Sequence, residues 1–243
     1  MNVTVFLPVF EEIDILPWVL KHWRNHGCHV HAIDGWSTDG SYELLKSAMG
    51  VSVSRFPESG PALVNHYRRL LKHIEDLALG SDADWCYLSD ADEWRRSVVR
   101  RETMCQALTR IDGLGHNVLD HKVYSFVCID DKWSGDPETY FQFYDPNEPI
   151  AKLPQEKAWK NDRRVDLHSH GGHLILRPDK RLHPVKFVMK HYPYRTPAQA
   201  KAKVETRLAR RAQDEYRDGW GVHYDAFPAG FSYKWDPAKL VRF

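Results

Sequence analysis

The sequence predicts an α/β fold with a mostly parallel central sheet flanked by helices, and three observations carry that prediction. Apolar, strand-like runs alternate with helix-like stretches four times before Trp94, the pattern of consecutive βαβ units. Gly27, Gly50 and Gly80 punctuate the alternation where helices should stop. The last of the four runs, Trp85–Leu88, is wholly apolar, as in a strand buried on both faces.

Val3–Leu7 is the first strand, and Asp14 with Pro17 opens a helix that brings Leu16, Val19, Leu20 and Trp23 onto one face before Gly27. Val30–Ile33 is the second strand, and the polar turn from Asp34 to Ser41 leads into a short helix that stops near Gly50. Val51–Ser54 is the third strand. From Leu63, the residues Tyr67, Leu70, Leu71, Ile74 and Leu77 mark an amphipathic helix closed by Gly80, ahead of Trp85–Leu88. Beyond Trp94 the sequence predicts a helix near Glu102–Ile111, a strand near Val118–Ile129 and a long loop from Asp130 to Gln155. Strands at Leu174–Arg177 and Phe187–Lys190 follow, then a C-terminal amphipathic helix over Pro197–Arg217. There Ala200, Val204, Leu208, Ala212 and Tyr216 recur at spacing four, with Lys201, Lys203, Arg207, Arg210 and Arg211 largely on other faces.

At 243 residues the chain suits one continuous domain. With 42% hydrophobic and 28% charged residues and no apolar run of about 18 residues, no transmembrane segment is expected. The N-terminus lacks the basic region of a secretory signal, and Cys28, Cys86, Cys105 and Cys128 are widely separated. Both readings favour the cytoplasm. Thirty-four basic residues against 33 acidic ones exclude a polyelectrolyte built for nucleic acid.

Chemistry concentrates where the strands end. Asp90-Ala91-Asp92-Glu93 follows a buried strand, and in an extended segment residues i and i+2 point the same way, so two carboxylates would face one site. A hard divalent ion, Mg²⁺ or Mn²⁺, needs only one or two protein carboxylates when substrate phosphates and water complete its shell. The bland alternative is a turn of solvated acids. In the turn after the second strand, Asp34, Ser37, Thr38 and Asp39 offer groups for a base and ribose, unless Asp39 or Ser37 only caps the next helix. Arg68 and Arg69 are placed for a diphosphate.

These pieces resemble the family 2-like glycosyltransferases of the GT-A fold. The resemblance rests on Glu12 with Asp14–Pro17, on the turn Asp34–Ser41, on Asp84-Trp85 with Leu88–Glu93, and on Lys190–Arg195, running from residue 3 to about residue 205. It implies that 1–95 is the nucleotide-binding half and 96–243 the acceptor-binding half with the C-terminal helix. It also implies that Pro8 and Val9 line the base pocket, that Asp39 helps to bind the base, and that Asp90 approaches the ribose or diphosphate. Glu12, Asp34, Ser37, Arg69 and Ala91 are counted in the same nucleotide-sugar site, and Asp90, Asp92 and His191 would hold the metal. Glu11 stands where relatives often have Asn, and Gly35-Trp36 replace the usual acidic or amide residues after Asp34.

The expected reaction moves a sugar from a UDP- or GDP-sugar to a glycan or other hydroxyl acceptor, with inversion as the resemblance suggests. A bound cation would stabilise the departing diphosphate. Asp166, Glu156 and His170 are the candidates for the base that takes the acceptor proton, Asp166 foremost. His168, His170 and His173 could line a pocket or, with His168 and His170 on one side of an extended segment, bind zinc. Trp133, Tyr140, Phe141, Phe143, Tyr144 and Trp159 could form an acceptor wall. The basic face of the last helix would allow peripheral contact with an anionic membrane or lipid-linked acceptor. Two rivals remain: a Mg²⁺-dependent nucleotidyltransferase, which would carry a Gly-rich loop where this chain has Pro8–Glu12, and a non-catalytic carbohydrate-binding protein, against which Asp90 and Asp92 count.

Overall fold

The alternation read from the sequence is present from Val3 to Leu88 in a computed structural model, which describes residues 1–64, 66–227 and 230–243. In order come β1 (Val3–Val9), α1 (Leu16–Asn25), β2 (His29–Asp34), α2 (Ser41–Ser47), β3 (Val51–Arg55), α3 (Tyr67–Leu79) and β4 (Trp85–Leu88). There follow β5 (Glu93–Arg96), α4 (Met104–Gly113), β6 (Val118–Leu119), β7 (His121–Val127), α5 (Pro137–Tyr140), β8 (Phe143–Asp145) and β9 (Ala158–Lys160). The chain ends with β10 (Phe187–Tyr194), α6 (Pro197–Arg210), α7 (Gln213–Arg217) and β11 (Val241–Arg242).

Two compact units emerge. The first comprises Met1–Pro61, Arg68–Lys122 and Pro154–Met189. Its sheet has the order β3-β2-β1-β4-β9-β6, with β1 parallel to β2 and β4, β2 parallel to β3, and β9 antiparallel to both β4 and β6. It is a mostly parallel sheet with helices against it. The apolar face read for α1 is buried, and Trp23, Trp85 and Trp159 are wholly enclosed. An aromatic side chain of this size withdraws roughly 150–250 Å² from water, so these three rings dominate the local packing. Thr103 caps α4 by accepting the Gln106 N–H while Gln106 returns the bond, which fixes where that helix starts.

The second unit comprises Ala62–Tyr67, Val123–Leu153 and Lys190–Phe243. Within it β11, β8, β7 and β10 lie side by side in that order. Phe126 stacks on Tyr192 at 5.1 Å, and Tyr144 meets the edge of Tyr124 at 5.1 Å. Pro197 opens α6 behind Thr196, whose side chain accepts the Gln199 N–H. Among the described residues, no helix is long and apolar enough to cross a membrane.

Several expectations need correction. The third helix starts at Tyr67 rather than Leu63, and Leu63 is 92% exposed. The strand expected over Val118–Ile129 is two strands broken at Asp120, whose buried carboxylate accepts the N–H groups of His121 and Gln155 and so draws the backbone out of the ladder. Leu174–Arg177 contributes only one bridge, Asp166 with Leu176, because the Ile175 N–H goes to Glu156 Oε2 instead of a strand neighbour. The helix expected to run to Arg217 stops at Arg210: Arg211 is extended, and its guanidinium grips both carboxylate oxygens of Asp225 at 2.8 Å. Tyr216, expected on the apolar face, is 55% exposed as a result. The region 130–155 contains α5, β8 and a 3₁₀ turn; of the six aromatic residues considered for a wall, Phe141 is buried with Trp133 at 5.9 Å and Trp159 sits inside the first sheet, while Trp133, Tyr140, Phe143 and Tyr144 are half-buried.

Candidate functional site

The strand order reverses beside β1. The chain goes from β1 to β2 and β3 on one side and returns to place β4 on the other, which makes the carboxyl ends of β1 and β4 the switch point where ligands of open α/β sheets sit.

One wall is made by the segments after β1 and β2, which are tied together. Val9 O accepts the Gly35 N–H at 2.8 Å. Glu11, in the left-handed region at φ 56°, donates its N–H to Ser37 Oγ and takes the Thr38 N–H on Oε1 at 2.6 Å. The Glu12 N–H reaches Ser41 Oγ at 3.2 Å, and Asp39 accepts from Ile13 and Ser41. Asp34 is fully buried and accepts the N–H groups of Trp36 and Ser37 as well as Arg55 Nε at 3.2 Å. Arg55 in turn lies over the rings of Trp36 at 4.3 Å and Tyr42 at 3.6 Å. Asp34, Ser37, Glu12 and Asp39 thus build the loop, while Thr38 stays exposed and Pro8 half-buried at the rim. Arg55 escaped the sequence reading, although Asp34 and Arg55 are register partners at the ends of adjacent parallel strands. Opposite charges in that relation were the available signal.

The other wall is the segment after β4. Ser89 donates its N–H to Phe6 O at 3.1 Å, holding this segment to β1. Asp90–Glu93 is a turn, not the extended segment expected: the Glu93 N–H bonds Asp90 O at 3.2 Å, and the Asp90 N–H bonds Glu93 Oε2 at 3.1 Å. The two aspartates therefore differ in setting. Asp90 is half-buried, whereas Asp92 is 3% exposed, next to buried Ala91. Glu93 and Arg95 form an ion pair at 2.5 Å with side chains 1% and 0% exposed, and the Arg95 N–H bonds His22 Nε2 at 3.1 Å. That bond makes His22 Nε2 an acceptor, so the ring is neutral, in keeping with a pKa held well below the ordinary value chiefly by burial and then by His26 and Arg95.

Carboxylate oxygens are the donors that Mg²⁺ and Mn²⁺ prefer, so Asp90 and Asp92 suit such an ion by chemistry. His191 lies on β10 in the second unit, with Nδ1 3.4 Å from Ser125 Oγ. Arg69 is exposed in the first turn of α3.

Of the downstream candidates, Glu156 and Asp166 have partners within the first unit. Glu156 Oε2 accepts Lys180 Nζ at 2.6 Å and the Ile175 N–H at 2.9 Å. Asp166 Oδ1 and Oδ2 accept the N–H and hydroxyl of Ser169. Burial works to raise the Asp166 pKa, but those bonds and the nearby His168 and His170 outweigh it, and the net shift is downward, toward a weaker base. Residues 168–170 form a single 3₁₀ turn, so His168 and His170 are not paired on one side of a strand, and His170 is exposed. Glu75, Asp166 and His168 have ligand atoms within 4.8 Å of one another, but Glu75 Oε1 already accepts His168 Nδ1 and the N–H groups of Leu167 and His168. Its role visible here is to fold that turn.

No protein-family model and no curated protein matches the chain. Among solved structures it is similar to S. aureus TarS, at 14% identity over 90% of this chain and a TM-score of 0.49. Here it spans only 42% of the TarS chain. It is likewise similar to TarS 1-349 (13% identity, 90% of this chain and 68% of that chain, TM-score 0.46) and to TarS 1-349 in complex with UDP (14%, 98% and 77%, TM-score 0.44).

Proposed function

We propose that the chain is a GT-A-like glycosyltransferase that transfers a sugar, with inversion, from a UDP- or GDP-sugar to a hydroxyl acceptor with the help of Mn²⁺ or Mg²⁺. The observation that supports this reading most is the turn carrying Asp90 and Asp92 at the carboxyl end of β4, hydrogen-bonded to β1 where the strand order reverses. When bound, the cation would neutralise charge developing on the departing nucleoside diphosphate. Asp90 and Asp92 would hold it. Thr38 and Pro8, at the rim of the opposite wall, would meet the base and ribose. Asp34, Asp39 and Glu11 would act through the backbone they fasten, keeping that wall in place before the donor arrives.

A panel of nucleotide sugars with and without Mn²⁺, read as thermal stabilisation, tests the proposal, because a ligand selective for the folded state raises the unfolding midpoint with its concentration. We expect a UDP- or GDP-sugar to stabilise the protein with metal and not after chelation. Equal stabilisation without metal, or none by any nucleotide sugar, would remove the reading.

A further inference from the structure

Cys28 and Cys105 are 77 positions apart in the chain, yet their Sγ atoms lie 3.7 Å from each other. Both belong to the first unit. Cys28 stands just before β2, and Cys105 is the second residue of α4. The backbone around them is pinned: His26 Nδ1 accepts the Met104 N–H at 3.1 Å, His26 O accepts the Cys105 N–H at 3.4 Å, and Cys105 Sγ reaches Gly27 O at 3.1 Å. The other two cysteines sit apart from this pair, Cys86 within β4 and Cys128 bonded to Tyr233 O.

We propose that Cys28 and Cys105 are a disulfide-forming pair, with Cys105 as the thiol that meets the oxidant, a small disulfide such as oxidised glutathione. The two differ in the way such a pair requires. Cys105 is half-buried in the first turn of α4, where the helix dipole favours a thiolate, whereas Cys28 is 8% exposed. The contact with Cys28 lowers the pKa of Cys105 against the opposing effect of burial, and the same contact together with burial raises that of Cys28. One sulfur is set to attack and the other to resolve. A disulfide needs the sulfurs at about 2.05 Å, less than 2 Å closer than they stand.

In the first step the Cys105 thiolate attacks one sulfur of the small disulfide, whose S–S bond breaks and releases one thiolate. Cys28 then yields its proton to that thiolate, and its sulfur attacks Cys105 Sγ, expelling the second small thiolate, which takes a proton from solvent. Two protein thiols are oxidised and one disulfide is reduced to two thiols. The result links the entry to β2 with the first turn of α4.

The test is a thiol count on the full chain after incubation with oxidised glutathione, followed by alkylation under denaturing conditions and peptide mapping. The four free thiols of the sequence should fall to two, with one crosslinked peptide pair joining Cys28 to Cys105 and full reversal by dithiothreitol. The oxidised protein should also unfold several degrees higher, since the link closes a long loop. Cys28→Ala should stop at a glutathione adduct on Cys105, and Cys105→Ser should leave Cys28 free. Four thiols remaining, a lasting adduct on Cys105 in the unmutated chain, or a crosslink through Cys86 or Cys128 would each overturn the pairing. The thiol count involves no nucleotide, so its failure leaves the glycosyl-transfer reading standing, and the reverse.

Discussion

Asp39 joins two loops through one carboxylate: Oδ2 accepts the Ile13 N–H at 3.0 Å and Oδ1 accepts the Ser41 N–H at 2.9 Å. The first bond holds the segment after β1, and the second satisfies an amide at the start of α2 that has no partner within the helix. Asp39→Ala should therefore cost about 1–3 kcal/mol of stability, measured by urea denaturation, through two donors left unmet. Asp39→Asn keeps one carbonyl acceptor and should cost less. An alanine variant as stable as the parent would show that the two loops hold together without this tie.

Glu93 and Arg95 should be far more sensitive. Their charges face each other with side chains 1% and 0% exposed, and removing one partner leaves the other buried and uncompensated. Glu93→Gln is expected to destabilise the fold by about 3–5 kcal/mol. It should also loosen the turn that carries Asp90 and Asp92, because the Asp90 N–H bonds the same Glu93 oxygen. A loss below 1 kcal/mol in denaturant unfolding would contradict the strength assigned to this pair.

His22 and His121 set the response to mild acid. Burial is the main cause that holds each pKa well below 6.5, with His26 and then Arg95 adding to it at His22, and Arg95 at His121. Below pH 6.5 the unfolded chain takes up protons that the folded protein refuses, so stability is complete above that pH and falls as the pH drops toward the folded values. The slope is about 1.4 kcal/mol per pH unit for each such proton. His22→Gln retains an acceptor for the Arg95 N–H and should remove one proton from that slope; an unchanged slope between pH 6.5 and 5 would show that His22 titrates alike in both states.

Much of this was legible in the sequence where local pattern and burial agree. The four strands up to Leu88 and the buried face of α1 follow from apolar periodicity alone, because each element there covers its neighbour with side chains spaced as its own geometry dictates. Pattern was insufficient where a single polar side chain redirects the backbone. Asp120 splits one expected strand into β6 and β7, and Glu156 takes the amide that would have made Ile175 part of a strand. In the candidate site the sequence located the acidic residues but misjudged their conformation: Asp90 and Asp92 lie in a turn closed by Glu93, whose bond to Arg95 has no periodic signature. The meeting of Cys28 with Cys105 was equally hidden, since it depends on how α4 docks beside the loop that follows α1.

Asp90 and Asp92 are proposed to hold a divalent cation against a nucleoside diphosphate. Electron paramagnetic resonance of free Mn²⁺, titrated with protein in the presence of UDP or GDP, measures this binding most directly. We expect uptake of one Mn²⁺ per chain that depends on nucleotide, is lost in Asp90→Asn and Asp92→Asn, and persists in His168→Gln. Nucleotide-dependent uptake that survives both aspartate substitutions, or vanishes with His168, would contradict the proposal.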